Sequence, residues 1–155
     1  MKTNLLLLVA ATSLLGLTAC HGAHLETPGG FAEIGGDKYD YRASNPEGVM
    51  VAVKSHPNDL SGNLEFWSRV VSHRLEEAGY RREDGDPRAV KTGRGLEGRQ
   101  LKYTVDRNGR PHAYVVTLFV TPSRVYVVEA GGDTAYVDAK VTRELERAIA
   151  SLDAG

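Results

Sequence analysis

Between residues 100 and 121 two strand-like runs meet at Asn108-Gly109, and that meeting leaves few architectures open. Residues 100–106 alternate cleanly, with Leu101, Tyr103 and Val105 on one face and Gln100, Lys102 and Thr104 on the other. A two-residue hairpin turn needs positive φ at both central positions, and Asn-Gly supplies it at little steric cost. The next run, residues 113–121, therefore folds back antiparallel. It is apolar on both faces, Tyr114, Val116, Leu118 and Val120 against Val115 and Phe119, as suits a central strand covered above and below.

Upstream, residues 38–43 and 48–54 read as two strands joined by Ser44-Asn45-Pro46-Glu47, a turn-rich tetrapeptide. Val49, Val51 and Val53 share one face of the second strand, Met50 and Ala52 the other, and His56-Pro57-Asn58-Asp59 is expected to break it. Residues 60–78 carry Leu64, Trp67, Val71, Leu75 and Ala78 at intervals of three and four, the stripe of an amphipathic helix. Gly79 stands where a C-cap glycine belongs. Residues 80–82 follow, then a charged turn, Glu83-Asp84-Gly85-Asp86, and a short strand near residues 89–92. Past the hairpin, Pro122-Ser123 leads into a strand over residues 124–130. Gly131-Gly132 is expected to end that strand, and Asp133 to cap a last helix over residues 134–152.

The fold class expected is α+β: a mainly antiparallel sheet of about six or seven strands flanked by two main helices that cover its apolar faces. This order of elements resembles the PsbP-like α/β/α sandwich across residues 31–153. Other α+β meanders, cystatin-like ones among them, fit parts of the pattern.

Of the 155 residues one is a cysteine, and its position is informative. Lys2 precedes an apolar run over residues 5–17, and a helix of that length spans about 20 Å, short of the roughly 30 Å of a bilayer core. The run reads as a signal segment and ends in Leu17-Thr18-Ala19-Cys20. These four residues resemble the lipobox of bacterial lipoproteins: Leu, two small residues for close approach of a peptidase, then the thiol that receives the lipid. The resemblance implies a signal peptide over residues 1–19, a mature chain starting at a lipidated Cys20, and acyl chains, palmitate among them, inserted in the membrane. It also implies the cell envelope; His21, where inner-membrane retention uses Asp, favours the outer membrane facing the periplasm. Residues 20–30 hold three glycines and a proline and read as a lipidated tether, with residues 31–153 as a single domain.

The remaining patterns exclude more than they assign. One cysteine leaves no intrachain disulfide framework and no Cys-rich metal site. A net charge of −1 argues against a nucleic-acid partner. Gly93-Arg94-Gly95-Leu96-Glu97-Gly98 matches the dinucleotide fingerprint in letters, yet a strand follows where the phosphate site needs a helix N-terminus. Ser72 and His73 are neighbours on a helix and point about 100° apart, so they make a poor nucleophile–base pair. His21, His24 and Glu26 lie in the tether, where ordering a metal site costs conformational entropy. No catalytic residue, cofactor or metal site is therefore assigned.

Charge is unevenly spread. Residues 81–110 carry nine basic side chains against five acidic ones, although Cys20 onward holds 18 basic and 20 acidic. Arg94, Arg99, Arg107 and Arg110 are the candidate partner surface, provided their loops share one edge of the sheet. The function expected is a membrane-anchored, non-enzymatic accessory or protein-binding module with an unidentified envelope partner. The alternative is a carrier holding a small hydrophobic ligand between the sheet and the helix that contains Trp67.

Overall fold

Asn108 and Gly109 take φ values of 55° and 78°, the two left-handed conformations that a tight hairpin requires. In the computed structural model, which describes residues 22–36, 38–85 and 87–154, they join the two longest strands. Numbered in chain order, the elements are β1 (Ala32–Glu33), β2 (Tyr41–Ser44), β3 (Met50–Pro57), α1 (Leu64–Glu77), β4 (Arg81–Arg82), β5 (Arg88–Lys91), β6 (Glu97–Arg107), β7 (Arg110–Val120), β8 (Arg124–Asp133) and α2 (Ala139–Ala150). One antiparallel sheet runs β1-β2-β3-β8-β7-β6-β4, and β5 pairs with β6 beside β4. This is the α+β class read from the pattern, with eight strands among the described residues.

Period-two alternation gives the sheet two apolar faces, and each has its own helix. On one face Val51, Val53, Phe119 and Val128 pack with Leu145, Ala148 and Ile149 of α2. On the other, Leu64, Val71 and Leu75 of α1 lie over Leu101, Tyr103, Val116 and Leu118. Helix α1 packs over β4, β6 and β7, one half of its face.

Local boundaries differ from the expected ones for identifiable reasons. Helix α1 begins at Leu64 and not at residue 60, because Asn63 caps it, its side chain accepting from Phe66 N at 2.8 Å. Strand β3 runs on through His56 to Pro57, which is its last residue and lies beyond the part of β3 that β2 covers. Strand β8 continues through Gly131 and Gly132 to Asp133. A Cβ at Gly131 would strike the Ala113 carbonyl of β7, so this glycine serves close strand approach and not a turn. The last helix is broken: Asp133 caps a short 3-10 turn over Thr134–Tyr136, and Asp138 caps α2, accepting from Val141 N at 2.8 Å.

The segment expected to be a tether is docked wherever it is described, from residue 22 to residue 30. Leu25 is 0% exposed and Ala23 3%. His24 and Asp153 exchange backbone hydrogen bonds of 3.0 and 2.9 Å, and Glu26 N donates to Ser151 Oγ at 2.7 Å. Ala23 and Leu25 point inward by strand alternation and fill the space between β2, β3 and the end of α2. Two apolar residues among glycines are too few to announce this in the sequence. Cys20 and its leader lie outside the described residues.

Candidate functional site

The half-covered face produces a groove. Register places Ala52 and Glu129 side by side there, with Met50 beside Gly131 and Gly131 beside Tyr114. Gly131 carries no side chain, and the backbone of Ala113 and Tyr114 closes against it, so the floor at that point is backbone. At the end of α1, Gly79 (φ 87°) reverses the chain and Tyr80 N donates to Leu75 O at 3.0 Å. Tyr80 consequently stands over β6 and β7, its ring centroid 6.4 Å from that of Tyr103 and 4.8 Å from that of Tyr114. The result is an open groove of about 320 Å³ lined by Tyr39, Met50, Tyr80, Val105, Tyr114 and Glu129 among others.

Polar groups mark its floor and rim. Tyr114 donates its hydroxyl to Glu129 Oε1 at 2.7 Å. Burial first, and then the charge of Glu129, hold the Tyr114 phenol protonated far above its ordinary range. Among the described residues no cation lies within ion-pair distance of Glu129. At the rim, Arg107 Nη2 donates to Tyr80 Oη at 2.7 Å, and its guanidinium carbon sits 5.5 Å from that ring's centroid. Tyr39 is held from the other side by Arg42, 5.7 Å from its ring centroid.

The four basic residues singled out from sequence do not form one surface. Arg107 and Arg110 face each other across the β6–β7 hairpin, and Arg110 also reaches Asp133 at 3.6 Å. Arg94 lies beyond the opposite end of β6 in an ion pair with Asp153 at 2.7 Å. Eleven residues of β6 separate the two ends, about 34 Å of strand. Arg99 sits between them, on the face that α1 covers. The shared edge is absent because the two loops close opposite ends of the same strand.

Other motifs resolve structurally. The three glycines of residues 93–98 belong to the β5–β6 hairpin, where Gly95 has φ 88° and Thr92 O accepts from its N–H at 2.9 Å. Ser72 Oγ donates to Glu76 Oε1 at 2.8 Å and accepts from Tyr103 Oη at 2.9 Å, while His73 faces Glu77 at 3.3 Å. Among the described residues no three His, Cys, Asp or Glu side chains cluster as a metal site, and no helix is long and apolar enough to cross a membrane. The space between sheet and helix lies under α2 and not beside Trp67: a cleft of about 140 Å³ bordered by Val115, Leu145 and Ile149. Trp67 is engaged by Asn58 and lines neither that cleft nor the groove.

Sequence reasoning missed Tyr39, Tyr80, Tyr114 and Glu129 as neighbours. One signal was present: Glu129 is the lone acid of the apolar run over residues 124–130. A charge in such a position has a partner or a role.

No protein-family model matches the sequence, and no curated protein matches it either. Solved structures do match in shape. LpqN, a protein involved in cell envelope biogenesis of Mycobacterium tuberculosis, superposes with a TM-score of 0.59 at 14% identity, over 83% of this chain and 78% of that one. Cyanobacterial PsbP (CyanoP) from Synechocystis sp. PCC 6803 gives 0.57 at 11% identity, over 87% and 88%. A protein from Bacteroides thetaiotaomicron gives 0.56 at 15% identity; the match covers 86% of this chain but 45% of that longer one. At such identities the likeness is one of architecture, and the antiparallel sheet between its two helices is a PsbP-like fold.

Proposed function

We propose that this protein is a lipid-anchored accessory of the bacterial cell envelope that binds a protein partner and catalyses no reaction. The observation that carries the reading is the open, tyrosine-lined groove whose floor holds a carboxylate, Glu129, bonded to Tyr114 but with no cation partner among the described residues. Aromatic and apolar walls with one convergent charge are what a recognition surface needs. Glu129 asks for a cation, so the complementary segment is apolar with one Lys or Arg side chain that reaches the carboxylate. The lipobox-like Leu17-Thr18-Ala19-Cys20 supports anchoring at Cys20 in the outer membrane, facing the periplasm. The shared fold with LpqN, itself involved in cell envelope biogenesis, fits the same compartment.

The experiment is site-specific photocrosslinking in cells from Met50, 38% exposed in the groove, with Arg143 on the outer side of α2 as the control position. The reading expects a discrete envelope-protein adduct from position 50 only, lost when Glu129→Lys reverses the floor charge. An adduct indifferent to Glu129→Lys, or none, removes it.

The carrier reading draws on the apolar cleft under α2. That cleft offers about 140 Å³. Ligand sites usually run from about 300 to 1,000 Å³, so a carrier role requires α2 to move outward.

A further inference from the structure

A second site lies on the same side of the sheet, at the junction of α1, β4 and β6. Strand β4 pairs Arg82 with Tyr103, which puts both on the face that α1 covers. Two-residue alternation along β6 puts Arg99 there as well, with Leu101 and Tyr103. Helix α1 contributes Arg69 from above, with Ser72 one turn further on. These side chains border a cleft of about 300 Å³ that the groove residues do not share.

Its charge is unbalanced. Among the described residues three guanidiniums line it against one carboxylate, Glu76, which is already the acceptor for Ser72 Oγ at 2.8 Å. The cleft's histidine, His73, is directed to Glu77 at 3.3 Å. None of Arg69, Arg82 and Arg99 meets a carboxylate within ion-pair distance among the described residues. Elsewhere Arg88, Arg94, Arg110 and Arg147 each do. Three like charges drawn into one concavity repel one another unless an anion joins them. Guanidinium forks match the tetrahedral oxygens of phosphate, and several forks from different directions can bind one phosphate group together.

We propose that this cleft binds a phosphate-bearing ligand, held by Arg69, Arg82 and Arg99 with the Ser72 hydroxyl beside them. The phosphate group is the recognised chemistry; it is carried by a lipid headgroup as a diester or occurs free as a dianion. The proposal is independent of the groove, whose lining residues are different.

Titration of the full chain bearing Cys20→Ala with two probes tests it, inorganic phosphate and glycerophosphoglycerol, the soluble diester headgroup of phosphatidylglycerol. Binding is followed by calorimetry and by NMR shifts of the arginine Nε–H signals. Saturable binding of at least one probe, weakened tenfold or more by Arg82→Gln with Arg99→Gln, is the expected result. The matched control is Lys140→Gln with Arg143→Gln, the same charge loss on the exposed side of α2, which should leave binding within twofold. Diester binding identifies the headgroup as the source, and binding of inorganic phosphate alone identifies the free dianion. Equal weakening by both double variants would mean diffuse charge attraction and would overturn the proposal, as would no saturable binding of either probe by a folded protein.

Discussion

The indole Nε1 of Trp67 donates to Asn58 Oδ1 at 2.9 Å, tying the first turns of α1 to the loop that precedes it. The same oxygen accepts from Gly62 N at 3.0 Å, and Asn58 Nδ2 donates to the carbonyls of Gly62 and Thr121, both at 3.0 Å. Asn58 is 6% exposed, so one buried amide, fully satisfied, fixes the β3–α1 loop against the β7–β8 turn. Asn58→Ala should lower stability by about 2–4 kcal/mol, because it leaves several buried partners unmatched. Trp67→Phe removes one of those bonds and should cost about 1–2 kcal/mol. Urea unfolding followed by circular dichroism compares them. Equal losses would show that the backbone bonds of Asn58 add nothing beyond the indole bond.

Leu25 supplies the test of the docked N-terminal segment. It is fully buried against the α2 side of the core. Leu25→Ala should cost about 2–4 kcal/mol, as for other buried leucines truncated to alanine. Leu60, 69% exposed, is the reference position, and Leu60→Ala should fall within about 0.5 kcal/mol of the parent. Parent-like stability of Leu25→Ala would mean that residues 22–30 leave the domain in solution.

Legibility followed range. Asn108-Gly109 and the α1 stripe were readable because their signals are local: a turn type and a helical period. The start of α1 is set by the Asn63 cap, but residues 58–62 stay out of the helix with Asn58 held by Thr121, a residue 63 positions away. Gly131 looks like a terminator in one dimension; its role depends on the Ala113 carbonyl of a neighbouring strand. Tyr39, Tyr80, Tyr114 and Glu129 come from four separate segments and meet only through strand register and the reversal at Gly79. The basic stretch of residues 81–110 was visible as composition. Its two ends were not separable until β6 was known to run straight between them, and the partner arginine of Arg82 and Arg99 comes from α1, outside that stretch.

Anchoring makes its own prediction. Replacing Cys20 by Ala should move the protein from the membrane pellet to the soluble periplasmic fraction and abolish incorporation of labelled palmitate. With residues 22–30 docked, the chain from Cys20 to Gly22 can reach at most about 7 Å, so an anchored domain stays at the membrane surface and cannot move about 35 Å away from it. Ten Gly/Ser residues inserted after Cys20 should leave fractionation unchanged and increase protease access to the membrane-facing side. Pelleting of Cys20→Ala like the parent would end the lipoprotein reading.

Tyr114 and Glu129 give the groove a pH signature. The phenol, whose ordinary pKa is 10.0, is held higher in the folded chain by burial first and then by the adjacent carboxylate. Below pH 10 both folded and unfolded chains keep this proton, and its contribution to stability is fully present. Above pH 10 the unfolded chain releases it and the folded chain does not, so stability falls by about 1.4 kcal/mol per pH unit from this residue. Tyr41 and Tyr126, also raised chiefly by burial, act in the same direction. Tyr114→Phe should therefore flatten, without abolishing, the loss of stability between pH 10 and 11. Glu129→Gln removes the carboxylate's charge while keeping an acceptor oxygen for Tyr114, so it should bring the Tyr114 ionisation closer to the ordinary value, with burial still raising it, and flatten the same limb in part. Denaturant titrations across that range decide the matter. A parent and a Tyr114→Phe variant with parallel slopes would place the Tyr114 hydroxyl in water and not on Glu129.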